Sequence, residues 1–86
     1  MDRPEVNDTL GWVYYKKGLA SLAIAPFQQS LGKDPDNPVY NYHLGLAYNE
    51  TGETVKAREA LERALKAKAP FAGADEARRV LASLQD

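Results

Sequence analysis

The sequence predicts an all-α fold, a solenoid of two helical hairpins closed by a C-terminal helix. Three observations carry that prediction. The chain repeats itself at a step of 34 residues, LGWVYYKKG from Leu10 answering to LGLAYNETG from Leu44, with Gly11 matched to Gly45, Tyr14 to Tyr48 and Gly18 to Gly52. Within each copy apolar residues recur at three and four positions, as in Val6, Leu10, Val13, Tyr14 and again in Tyr40, Leu44, Ala47, Tyr48. That is the spacing of one helix face and not the alternation of a strand. Glycine and proline punctuate both copies at matched places, and a fixed period of this size marks a stacked array.

The elements follow in order. Residues 4–37 and 38–71 align without a gap, Pro4 on Pro38, Ala23 on Ala57, Phe27 on Leu61 and Leu31 on Leu65. Each unit opens with a helix. Asn37 is a good cap for the second of these, with Pro38 behind it where a missing N–H costs nothing. Gly18 and Gly52 end the two opening helices, because a C-terminal cap favours the left-handed backbone that glycine reaches without strain. A second helix follows in each unit, over Ser21–Lys33 and Thr54–Lys68, before DPDNP closes the first and APFAG the second. Pro26, near the start of its helix, removes one backbone hydrogen bond and is expected to bend it slightly. Gly11, Ala23 and Ser30, mirrored by Gly45, Ala57 and Ala64, let the paired helices approach, while Leu10, Tyr14 and Phe27 fill the space beside them.

The tail ADEARRVLASLQD sets Ala74, Ala77, Leu81 and Leu84 on one helical face, with Asp75 and Glu76 at the end of the helix dipole that favours negative charge. Arg79 stands where a third unit needs its glycine. Residues 73–85 are therefore expected to be a capping helix over the last repeat, as arrays require. On α-helical spacing, Glu59 with Arg63 and Glu62 with Lys66 are expected to form exposed ion pairs.

Composition bounds the function. Eighty-six residues, 44% hydrophobic and 27% charged, suit one small globular domain, too small to enclose a deep active site. No apolar run approaches the roughly 20 residues of a membrane span, and MDRPEVND has neither the charged nor the apolar region of a secretory signal. The net charge of −1 comes without a basic stripe, so a nucleic-acid surface is not expected. The absence of cysteine removes disulfides, thiol nucleophiles and thiolate metal sites. His43 is the one histidine, too few ligands for an ordinary metal site and without a nucleophile at a suggestive spacing. No catalytic residue, metal or cofactor is expected, and the compartment stays open.

The pattern L-G-x-x-Y, then Gly, Ala, a large apolar residue and Pro, resembles the tetratricopeptide repeat in both units. Departures are Asn7 and Asn41 where that family carries Trp, and Pro70 displaced by one position. The resemblance implies a right-handed superhelix, and a chain that begins at the start of a repeat resembles the C-terminal end of a longer protein of the kind common in bacteria. It also implies a concave groove, lined by the first helices, that binds a peptide or a partner helix without catalysis. In this sequence the residues projecting there are Glu5, Asp8, Thr9, Trp12, Tyr15 and Lys16 from one unit and Val39, Tyr42, His43, Leu46, Asn49 and Glu50 from the other. Two roles are open for Trp12 and Tyr42: binding anchor, or cover for the junction between the two first helices. The carboxylate clamp of some family members is absent, its positions being held by Asp8, Trp12 and His43. The alternative function is a structural assembly unit whose contacts are with neighbouring repeats or a second copy. Val6 and Val13, left uncovered at the N-terminal end, then support a weak homodimer.

Overall fold

The computed structural model describes residues 3–84, and within them the chain forms five α-helices: α1 Pro4–Lys16, α2 Ala20–Lys33, α3 Pro38–Glu50, α4 Thr54–Lys66 and α5 Ala74–Ser83. Helices α1 and α2 form one hairpin and α3 and α4 another; α2 packs on α3 and α4 on α5, so that neighbours in sequence are neighbours in space. No helix among the described residues is long and apolar enough to cross a membrane.

The turns repeat as the sequence does. Gly18 and Gly52 sit at φ +80° and +82°, the left-handed region. Around them the Leu19 and Glu53 amides donate back to the Tyr14 and Tyr48 carbonyls, each at 2.9 Å. These bonds satisfy carbonyls that the last turn of a helix leaves open, and they fix the same reversal twice. Asn37 caps α3 as expected, its side chain accepting from the Tyr40 amide at 3.1 Å, with Pro38 at the first helical position.

The close approaches fall where small residues were matched. A methyl group on Gly11 would stand 2.5 Å from the Phe27 ring, and one on Gly45 2.7 Å from Leu61, so each hairpin crosses through a glycine. Ala23, Ala57 and Ala64 are fully buried, as is Ser30, whose hydroxyl donates to the Pro4 carbonyl at 2.8 Å and ties α2 to the start of α1. Buried Asn41, where the repeat pattern carries Trp, donates instead to the Pro35 and Asn37 carbonyls and stitches the inter-hairpin turn to α3.

Four expectations are corrected. Helix α4 stops at Lys66, two residues early: Ala67 turns to an extended conformation and the chain leaves the helix to set Phe71 against Tyr42. Pro26 lies in the middle of α2 and is buried, not near its start. Leu10 does not fill the hairpin seam but is 44% exposed, whereas its counterpart Leu44 is 7% exposed. The difference is position in the stack: α2 covers Leu44, and no described element covers Leu10. Glu59 with Arg63 and Glu62 with Lys66 do not pair as expected either; exposed ion pairs three positions apart form instead between Lys56 and Glu53 and between Arg78 and Asp75.

Candidate binding groove

One groove of about 410 Å³ runs across α1, α3 and the start of α5, lined by Trp12, Tyr15 and Lys16, by Tyr42, His43 and Leu46, and by Ala72, Gly73 and Glu76. Six of the residues singled out from sequence, Trp12, Tyr15, Lys16, Tyr42, His43 and Leu46, meet there because α1 and α3 are equivalent helices set side by side. Asp8 is brought in behind His43. Asn49 is half-buried and does not line the groove, Glu50 lies instead in a neighbouring cleft with Tyr15 and Lys16, and Glu5 and Thr9, expected in the groove, edge a separate trough along α1.

The floor is an aromatic stack held by one polar pair. The Trp12 indole lies 4.2 Å from the His43 ring and 5.2 Å from Tyr15, and His43 also meets Phe27 and Tyr42, each at 5.5 Å. His43 Nδ1 is 2.8 Å from Asp8 Oδ1, the two side chains only 12% and 14% exposed. A carboxylate can only accept, so Nδ1 carries the proton. The pair holds the imidazole against the indole from behind. Among the described residues no hydroxyl is hydrogen-bonded to that histidine.

Tyr42 and Trp12 take different roles. Tyr42 is 7% exposed; its ring fills the space where Gly73 would carry a side chain, tilts against Phe71 at 5.8 Å, and its hydroxyl donates to Glu76. It fastens the tail, and Trp12 and Tyr15 of α1 pack against the cluster it belongs to. Burial, then the bond to Glu76, pushes the Tyr42 phenol well above the ordinary tyrosine range. Burial, with Glu50 and Glu76 nearby, raises that of Tyr15 as well. Trp12 is half-buried, with the Lys16 ammonium 5.4 Å from its ring, so one surface packs while the rest faces the groove. A cation over an indole is held by the ring quadrupole and pre-sets Lys16 at the rim.

Two parts of the groove were missed from sequence: the Asp8 and His43 pair, and the wall supplied by Ala72, Gly73 and Glu76. The 34-residue step could have found the second. It carries Asp8 onto Tyr42 and Tyr42 onto Glu76, so α5 enters the stack in the register of another first helix. It closes the groove as well as the core. Beneath it, Ala77 is fully buried and the Arg58 guanidinium donates to the Leu84 carbonyl at 2.7 Å, holding the end of α5 on α4.

Comparison with known families follows the same lines. Residues 39–70 match the family model of the tetratricopeptide repeat. No curated protein matches the chain. The matched segment comprises α3, α4 and the turn between them, the hairpin that supplies Tyr42, His43 and Leu46 to the groove. The chain is an all-helical repeat protein that carries a tetratricopeptide repeat, the unit of a non-enzymatic scaffold family for protein–protein interaction.

Proposed function

We infer that residues 4–37 and 38–71 act as two units of one binding module, with 73–85 as its cap, Gln85 lying outside the described residues. The concave groove takes a peptide or partner helix that presents an apolar or aromatic anchor to Trp12. The observation that supports this most is the state of Trp12. It is a large aromatic braced from behind by His43 and Asp8 and rimmed by Lys16 and Glu76, so a ligand meets a surface whose ordering cost has already been met. Buried aromatic anchors inside a polar rim carry most of the energy of interfaces of this kind. Tyr15 extends the apolar floor, and Leu46 gives it an aliphatic edge.

The test starts from peptides selected on the folded chain from a random display library. Trp12→Ala is expected to weaken the selected peptides by about 30-fold or more, equivalent to about 2 kcal/mol, with far-ultraviolet circular dichroism unchanged. Indole fluorescence in the native chain should shift on binding. Helix content lost together with binding, or peptides indifferent to Trp12→Ala, would assign that residue to packing alone.

A further inference from the structure

Away from the groove, α1 presents a second surface. Val6, Leu10 and Val13 are 53%, 44% and 44% exposed and form the apolar floor of a shallow trough of about 470 Å³ edged by Glu5 and Thr9. The repeat states what shape fits there. Leu44 and Ala47, the counterparts of Leu10 and Val13, are 7% and 0% exposed because a helix, α2, lies on them. The apolar character also continues onto α2: Leu22, 52% exposed, stands where the second unit carries Lys56, whose ammonium lies 5.6 Å from the Tyr48 ring at the edge of the covered face.

We propose that the occupant is α1 of a second copy of this chain, packed antiparallel across a two-fold axis near Leu10. Charge selects that arrangement. Glu5, at the edge of the trough, lies in the first turn of α1, and Lys16, which helical spacing sets on the same flank between trough and groove, in the last. An antiparallel pair sets each Glu5 beside the other copy's Lys16 and opposes the two helix dipoles, whereas a parallel pair sets like against like. Val6 of each copy then faces Val13 of the other, with Leu10 astride the axis, so the face is complementary to itself. A single helix face buries less than the roughly 800 Å² per partner of a standard interface, which makes the dimer weak and dependent on concentration.

Sedimentation of the full chain over a hundredfold concentration range tests this. The weight-average mass is expected to rise from 9.5 kDa towards twice that value. Val6→Lys with Val13→Lys should hold it at the monomer, with unchanged helicity. Glu5→Lys alone and Lys16→Glu alone should each weaken the dimer by about tenfold at low salt, and the two together should restore it. Within one chain these residues stand about 16 Å apart along the helix, so restoration arises only across the axis. A monomer at every concentration overturns the proposal, as does a dimer that survives the two lysines. A double charge exchange that fails to restore association overturns the antiparallel two-fold.

Discussion

Tyr42 and His43 are consecutive, yet one fastens the tail to the groove and the other braces the residue that faces a ligand. The Tyr42 hydroxyl is protonated in the fold, and its folded pKa stands well above the 10.0 of a free tyrosine. The folded state therefore holds this proton at a pH where the unfolded chain releases it. The associated stability is complete below about pH 10 and is lost as pH rises beyond it. Thermal midpoints measured from pH 8 to pH 11 are expected to fall at the alkaline end, and Tyr42→Phe should flatten that fall. Tyr15 and Tyr40, shifted in the same direction by burial first, leave a smaller residual slope. At this scale the sequence was legible where the repeat register speaks, placing Trp12, Tyr15, Tyr42, His43 and Leu46 on equivalent helix faces. It was not legible for Asp8 with His43. The two lie 35 positions apart, one more than the repeat step, and only the lateral offset of α1 against α3 brings them into hydrogen-bonding distance.

Among the elements, the helices with explicit stop and start signals were placed to within a residue or two, because glycine, proline and asparagine act on the backbone locally. The end of α4 was misplaced because docking Phe71 beneath Tyr42, a tertiary contact, decides where the chain must leave the helix. Packing at this scale can be probed from both directions. Ala57 has no free surface in the second hairpin, so Ala57→Leu should overpack it and cost roughly 1 to 3 kcal/mol in chemical denaturation. An unchanged midpoint would refute the hairpin contact. Gly32 is the opposite case: it lies inside α2, is exposed, and a methyl group there meets nothing within 4 Å. Gly32→Ala is expected to stabilise by about 0.5 to 1 kcal/mol, since it removes backbone freedom from the unfolded chain without strain in the fold.

For the whole molecule, two apolar clusters share the load. One joins Ala23 and Phe27 to Leu44, Ala47, Tyr48 and Ala57 between the hairpins; the other joins Tyr42, Leu46, Leu61 and Ala64 to Ala77 of the tail. A chain ended after Lys68 strips Phe71, Ala77, Leu81 and Leu84 from the second cluster. At about 1.5 to 3 kcal/mol for each large side chain returned to water, it should lose at least 3 kcal/mol, a large part of the stability of so small a domain. It should also lose the groove wall, so binding and melting temperature are expected to fall together. The resemblance of the two units made this scale the most legible of the three. The exposure of Val6 and Val13 was legible as well, though that of Leu10 was missed, because a period reports which residues are equivalent and not which copy is covered.

Helix α3 is enclosed on nearly every side, with Asn41, Tyr42 and the run Leu44 to Tyr48 all buried, while α1 buries only Gly11. That inequality sets an order in time. Amide hydrogens of α1 should exchange first, through local openings that cost little, and those of α3 should exchange only when the molecule opens as a whole. In a native-state exchange experiment the two helices are expected to differ in protection by orders of magnitude. Raising the protein concentration should slow α1 alone if a second copy lies upon it.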